Sequence, residues 1–353
     1  MGIVGCGGIA GLHAKGYQQC KDVTIVACSD LDKARAQTFA ATHNIPGVYD
    51  DYKKLLETEK LDAISVCTPN YAHCAPTVVA LAAGVNVMCE KPIAMNAAEA
   101  LEMVKAAKKY RRLLTIGHHM RFYHVSQHLK KLIEAGDLGD IYFGRSWALR
   151  RRWVPGWGAF HIKKKSGGGP LIDIGVHALD LIVWLMGSPK PESVSGSVYT
   201  KLANQPEFFT PWGNNYKREE YDVEDFACGM VKFSGGASLL LEASWAAHIP
   251  EQETQAQLLL GDKAGARINP GNSAAPLSIY SSGGEAISDR NFAGFPETEP
   301  HIAEIAHWVA CLRGEKQVLV KPEESLNIQR IIDSLYLSSK RKREVRFSEE
   351  FKK

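Results

Sequence analysis

The chain lacks any strong excess of charge: its formal net charge is +3 over 353 residues. That field is too weak to argue for nucleic acid or a membrane surface as partner. Eight cysteines are present, yet none forms a Cys-x-x-Cys, so the common redox and zinc spacings are missing. Cys28, Cys67 and Cys89 lie in apolar strand-like runs and read as buried free thiols in a reducing compartment. No apolar run approaches the ~20 residues of a membrane span. No signal-peptide pattern precedes the first motif, so a cytosolic location is expected. Internal repeats and low-complexity segments are also lacking. What is there is an ordinary globular composition, 45% apolar and 23% charged, at a length that favours two domains.

Residues 1–117 alternate strand and helix patterns. Strands are expected at 3–4, 23–28, 48–49, 62–67, 85–89 and 112–116, and helices near 9–19, 31–42, 51–57, 71–83 and 96–110. The apolar run 23–28 is that of a parallel strand covered on both faces. Repeated units of this kind imply an α/β Rossmann domain with a doubly wound parallel sheet. Residues 118–353 change character, with a helix near 124–135, a strand-like stretch at 141–149, and many strands and turns over 191–290. This second part reads as an α+β domain with a mostly antiparallel sheet. Helices near 300–313 and 323–339 are expected to close it or to pack back on the first domain, and 344–347 to add an edge strand.

The first chemical signal is Gly5-Cys6-Gly7-Gly8-Ile9-Ala10, between a strand stub and a helix. The small residues allow a tight turn, close approach of backbone to a pyrophosphate, and helix packing on the strand. Gly5, Gly7, Gly8 and Ile9 are therefore cofactor candidates, with phosphates at the helix N-terminus. Asp30 ends the second strand about twenty residues further on, where an acid binds the ribose hydroxyls and repels a 2′-phosphate. NAD is favoured, while Lys33 and Arg35 keep NADP open. Thr68-Pro69-Asn70 and Glu90-Lys91-Pro92 follow the fourth and fifth strands, at the carboxyl edge where open α/β sheets bind ligands. Lys91 is expected as a fixed ammonium beside a nicotinamide.

In the second domain, Asp173 and His177 stand four apart after Gly168-Gly169. On a helix this spacing puts a carboxylate and an imidazole on one face, where the carboxylate can hold the tautomer of a proton-accepting histidine. Upstream, Arg150-Arg151-Arg152-Trp153 and Pro155-Gly156-Trp157 suggest a loop in which Trp153 and Trp157 stack on a sugar or on the nicotinamide, with arginines for a carboxylate or phosphate. The alternative is a solvated loop with core tryptophans. His124 and His128 have helical spacing, but the local sequence completes no tetrahedral ligand set, and no metal is expected.

Taken together, these residues resemble the Gfo/Idh/MocA family, relatives of glucose–fructose oxidoreductase and inositol dehydrogenase. The resemblance runs over about residues 1–340 and includes His73, the segment from Gly117 to Phe122, Gly168-Gly169 and Asp173-x-Gly175-x-His177. It implies a C-terminal domain with a large open sheet that in relatives often mediates dimers or tetramers. It also implies cofactor contacts from Thr68, Pro69, Asn70, His73 and Glu90. Lys91, Asp173 and His177 are implied as the catalytic group, with Arg121 facing the substrate. The expected activity is reversible NAD(P)-dependent oxidation of a secondary hydroxyl on a sugar or polyol. A glycosidase working by transient oxidation and elimination, and a non-catalytic NAD-binding sensor, are the alternatives. The sequence does not name the sugar.

Overall fold

The computed structural model describes residues 1–213, 216–271, 276–283 and 286–351. The chain divides into two compact units, Met1–Phe122 with Glu299–Gln329, and Tyr123–Thr298 with Arg330–Lys353.

In the first unit, strands β1 (Gly2–Val4), β2 (Ala27–Ser29), β3 (Gly47–Tyr49), β4 (Ala63–Val66), β5 (Asn86–Glu90) and β6 (Leu114–Gly117) form one sheet in the order β3-β2-β1-β4-β5-β6. Every pairing among the described residues is parallel. Helices α1 (Gly8–Gln19), α2 (Lys33–His43), α3 (Tyr52–Thr58), α4 (Cys74–Ala82) and α5 (Ala97–Tyr110) connect them. Ile3, Cys28, Ile64, Val66, Val87 and Cys89 are fully buried, as expected of strands covered on both faces. Local chemistry sets the helix starts: Asp32 accepts the Arg35 amide and Asn96 accepts those of Ala98 and Glu99, each replacing a missing intrahelical bond. The order reverses between β1 and β4, which opens a crevice at the carboxyl ends of the strands.

Of the two late helices, α9 (Pro300–Leu312) belongs to this first unit. Its Ile305, Trp308, Val309 and Cys311 join the core of α1 and β1. Gly16 makes the contact possible, since a Cβ there would stand 2.8 Å from Ile305.

The second unit holds β7 (Ile141–Arg150), β8 (Pro191–Tyr199), β9 (Phe226–Phe233), β10 (Ser238–Ser244), β11 (Glu253–Gly261), β12 (Ala264–Ile268), β13 (Leu277–Gly283), β14 (Ala286–Phe292) and β15 (Val345–Arg346). Among the described residues they form one sheet, β14-β13-β12-β11-β7-β10-β9-β8-β15. All pairs are antiparallel except β10 with β7. Helices α6 (His124–Glu134), α7 (Lys163–Ser166), α8 (Val176–Leu185) and α11 (Phe347–Glu350) lie in this unit, and α10 (Pro322–Arg341) enters it at Arg330.

Glycines let helices press on one face of this sheet. A Cβ at Gly144 would stand 2.9 Å from Ile182 of α8, and one at Gly229 2.7 Å from Leu335 of α10. The other face carries Met230, Tyr280, the Arg145–Glu242 pair at 2.8 Å and Trp147 beneath Arg145 and Arg267.

One expectation needs correction. The helical stretch Lys163–Leu185 is long and apolar enough by composition to cross a membrane, but 83% of its most apolar window is buried inside the protein. Burial on that scale is the pattern of a core helix.

Candidate active site

Four residues of the glycine turn have separable tasks. Gly5 has φ +89°, and a Cβ there would lie 2.7 Å from the Cys67 backbone, so this position needs glycine for the fold itself. Gly7 and Gly8 are exposed and face open space, with nothing within 4 Å of a built Cβ. Ala10 is fully buried under the helix. No side chain caps the N-terminus of α1 at Gly7, which leaves a helix end suited to a phosphate. Ile9, half-buried, follows in the first turn.

Asp30 ties the turn to β2. Its Oδ2 accepts the Cys6 amide at 2.9 Å, and its Oδ1 accepts the Asp32 amide at 2.9 Å. A cavity of about 440 Å³ opens beside it, lined by Asp30, Leu31, Arg35, Tyr52, Thr68 and Tyr71 among others. Leu31 and Tyr71 are 87% and 50% exposed, two apolar surfaces available to a flat ring. An uncapped helix end, an acid at the strand end and an apolar cleft fit the pyrophosphate, ribose and adenine of a dinucleotide.

Further along the same edge, Asn70 opens a 3-10 turn, Asn70–Ala72, after Thr68 and Pro69. Thr68 Oγ1 donates to the Ala72 carbonyl at 2.7 Å. His73 is buried, its Nδ1 2.7 Å from the Pro92 carbonyl and its Nε2 2.9 Å from that of Thr68. Burial pushes this imidazole below its ordinary range. It joins the Thr68 loop to the loop after β5.

Glu90 ends β5 with its carboxylate buried. Oε1 meets His13 Nε2 at 2.9 Å and Oε2 accepts the Lys91 amide at 3.1 Å. Burial pushes the carboxyl up, but the His13 hydrogen bond and the charges of His13, Lys91 and His301 outweigh it and hold it at about 2. Gly117 must be small, since a Cβ there would stand 2.9 Å from Glu90 Oε1. Lys91 itself is half-buried. Nearby, His119 stacks on His301 at 4.0 Å between ring centroids.

In the second unit, Asp173 lies in a π-helical turn, Leu171–Gly175, that runs directly into α8, whose second residue is His177. Both residues lie on one continuous helical stretch, although the first turn is wider than an α-turn; such π turns are frequent at functional sites. Asp173 is buried and its Oδ2 accepts the Trp245 indole N–H at 3.3 Å. His177 is half-buried.

The start of this stretch is held by Glu224. Its Oε2 accepts the Gly169 amide at 2.9 Å, and its Oε1 accepts the Leu171 amide at 3.1 Å and the Tyr336 hydroxyl at 2.8 Å. Burial pushes this carboxyl up against the lowering effect of those donors. The glycines are explained by the same contacts. A Cβ at Gly168 would lie 2.0 Å from the Tyr336 hydroxyl, and one at Gly169 2.2 Å from the Glu224 carbonyl.

Trp153 and Trp157 come together through a third ring, Trp212, at centroid distances of 5.0 and 4.9 Å. Arg150 lies over Trp212, and Trp157 is 54% exposed. The Trp153 amide donates to the Trp245 carbonyl at 2.9 Å, so this row shares a backbone anchor with the indole that holds Asp173.

Arg121 departs from its expected role. It is 1% exposed, and its guanidinium pairs with Glu324 at 2.7 Å and donates to the Leu319 carbonyl at 3.3 Å. A buried guanidinium is kept only where donors find internal acceptors, and here it ties the turn after β6 to α10. His124 bonds the Pro296 carbonyl and Thr298, and His128 packs on Phe292 and Phe295. Among the described residues no three His, Cys, Asp or Glu side chains converge as metal ligands. The sequence reading missed Glu224, Tyr336, Trp245, Trp212 and His13. Glu224 lies in an acidic stretch, Asp222-Val223-Glu224-Asp225, just before the apolar run 226–233, and nothing local singles it out from its neighbours.

Two family profiles match the chain: the oxidoreductase-family NAD-binding Rossmann fold over residues 1–118, and the oxidoreductase-family C-terminal alpha/beta domain over 130–347. The chain is 35% identical over 340 residues to D-glucoside 3-dehydrogenase of Escherichia coli (strain K12), covering 96% of this chain and 94% of that protein. It is 28% identical over 268 residues to trans-1,2-dihydrobenzene-1,2-diol dehydrogenase of Xenopus tropicalis, covering 76% and 72%. In fold it is similar to levoglucosan dehydrogenase in complex with NADH, with TM-score 0.84, 20% identity and 98% of both chains covered. It is also similar to aldose-aldose oxidoreductase from Caulobacter crescentus, with TM-score 0.79, 24% identity and 98% of both chains covered. With both domains matched and the cofactor cradle in place, the chain belongs to the Gfo/Idh/MocA family of NAD-dependent oxidoreductases.

Proposed function

We propose that the protein is an NAD-dependent dehydrogenase that oxidises a secondary hydroxyl of a sugar or polyol and reduces the matching ketone. The similarity to a glucoside 3-dehydrogenase over nearly the whole chain supports the substrate class. The observation that carries the chemistry is the pairing of an open, uncapped cofactor cradle with a lysine whose backbone is fixed by a buried carboxylate.

Bound NAD supplies the two-electron acceptor; the remaining work falls to side chains. His177 accepts the hydroxyl proton. Asp173, held by Trp245, orients His177 and stabilises the imidazolium. Lys91 hydrogen-bonds the substrate oxygen and stabilises its developing negative charge. The row Trp153–Trp212–Trp157 offers flat faces to the C–H side of a sugar ring. Asp30 favours NAD over NADP, because its charge opposes a 2′-phosphate. We infer a homo-oligomer that uses the uncovered face of the second-unit sheet, which light scattering of the purified protein tests.

The decisive experiment is Lys91→Ala, assayed with a panel of glycosides, free sugars and polyols. Turnover should vanish while NAD binding, followed calorimetrically, persists. Wild-type turnover in that variant would overturn the proposal. Sugar release from aryl glycosides without net NADH formation would favour the elimination chemistry instead.

A further inference from the structure

Behind Glu90 runs a line of buried polar groups that the proposed reaction leaves unused. His13 Nε2 is 2.9 Å from Glu90 Oε1, His13 Nδ1 is 2.9 Å from Ser65 Oγ, and Ser65 Oγ is 2.6 Å from the Tyr17 hydroxyl. His13, Ser65 and Tyr17 are at most 1% exposed. Buried polar side chains in a row must share their hydrogens so that each donor meets an acceptor.

Chemistry fixes the direction of sharing. An ionised carboxylate only accepts, so His13 Nε2 carries a hydrogen and donates it to Glu90. With that hydrogen on Nε2, Nδ1 accepts from Ser65, and the Ser65 oxygen accepts from Tyr17. Every donor is used once. A proton on Glu90 Oε1, the oxygen that faces His13, would reverse the line and leave the Tyr17 hydroxyl hydrogen in need of a new acceptor. The Trp308 indole beside that hydroxyl offers a donor only, and the Cys20 and Cys67 thiols nearby are weak acceptors. Burial also pushes the Tyr17 phenol up, so it keeps its hydrogen. Tyr17 is thus a dry end. The line cannot pass a proton to solvent, and its evident use is to hold one charge state.

We propose that His13, with Ser65 and Tyr17 behind it, is a positioning residue that keeps Glu90 ionised, and that this buried charge raises the affinity for oxidised over reduced nicotinamide. This rests on the reading of Lys91 as the group beside the nicotinamide. Glu90 Oε2 also holds the Lys91 amide, so one carboxylate fixes the lysine's backbone and supplies the negative potential there. An anion facing a ring that is cationic only when oxidised stabilises that form selectively.

The other titratable groups around Glu90 do not duplicate this charge. The Cys67 and Cys89 thiols are pushed up by burial and stay neutral. The His73, His119 and His301 imidazoles are all pushed down by burial. Lys91 is the neighbouring cation on its own strand end.

The test measures dissociation constants for NAD+ and NADH between pH 5 and 8 in the full-length protein. In the wild type their ratio should not change with pH. In His13→Leu the carboxylate loses its donor, so NAD+ affinity relative to NADH should fall about tenfold at pH 5 and recover as pH rises. His13→Gln, whose side-chain amide can donate to Glu90, should restore the wild-type ratio. Glu90→Gln should show the fall at every pH. Wild-type ratios throughout in His13→Leu would overturn the proposal. If that variant fails to fold, an unshifted ratio in Glu90→Gln overturns it alone. These readouts are binding constants, whereas the role of Lys91 is decided by turnover in Lys91→Ala, so the two ideas fail separately.

Discussion

Glu224 clamps the helix start at Gly169: its Oε2 accepts the Gly169 amide at 2.9 Å, and its carbonyl sits where any Cβ at Gly169 would have to go. The carboxylate of a residue far along the chain therefore caps the stretch that carries Asp173 and His177. Glu224→Gln keeps the shape but presents an amide N–H toward backbone donors. Loss of one of the two amide contacts should cost about 1–3 kcal/mol in urea unfolding. It should lower kcat more than it raises the KM for NAD, because Glu224 lies in the second unit and the NAD cradle in the first. Unchanged stability and kcat would show that the cap is dispensable.

Gly5 and Gly7 should respond oppositely to the same substitution. Gly5→Ala places a Cβ 2.7 Å from the Cys67 backbone at a φ of +89°, so it should cost at least about 2 kcal/mol of stability. Gly7→Ala meets nothing within 4 Å, and φ there is −81°. Its melting temperature should stay close to wild type while its Kd for NAD rises about tenfold or more, since the added methyl occupies pyrophosphate space. Calorimetry and a thermal melt on both variants check this pair.

The Arg121–Glu324 pair should behave as structure. Arg121→Ala strands Glu324, which is 20% exposed at its side chain. The expected loss is roughly 2–3 kcal/mol, the low end for a buried pair because one partner reaches water. Glu324→Ala should lower stability in parallel, and the double variant should lose less than the sum. A large rise in sugar KM for Arg121→Ala, with the melt unchanged, would return Arg121 to the substrate.

Mild acid should weaken the fold through its buried histidines. Burial first, then the charge of His301, holds His119 at about 3, against an ordinary value of about 6.5. Above that value both states are neutral. Below it the unfolded chain takes a proton that the fold refuses, so stability falls as pH drops from about 6.5 toward 3. Glu90, held at about 2, adds stability above its unfolded value of about 4.5 that is lost as pH falls through 2. Urea melts at pH 8 and pH 5 should show the first loss, and His119→Gln should make it shallower.

Much of the first unit was legible because its signals are local. The turn Gly5 to Ala10 and the strand ends at Asp30, Thr68 and Glu90 are read from neighbours within a few residues. The strand order β3-β2-β1-β4-β5-β6 came only from the structure. The run 23–28 was overread: the ladder begins only at Ala27, with Val26 joined by single bonds to Met1 and Gly47. Gly16 gave no sign that it was a contact point, since its reason is Ile305 of α9.

The sequence by itself determined the residue types that chemistry requires: glycines for a phosphate, an acid for a ribose, a lysine at a strand end, and an acid four before a histidine. Tertiary structure decided which of them are supported and by what. It placed Glu224 under Gly169, Trp245 on Asp173, His13 behind Glu90, and Glu324 against Arg121. The physical reason is burial. A polar group removed from water must find its partner wherever the fold brings one, and that partner is usually distant in the chain. Asp173 and His177 were visible as a pair because a helix repeats over a few residues; the groups that hold Asp173 were not, because only packing brings them there.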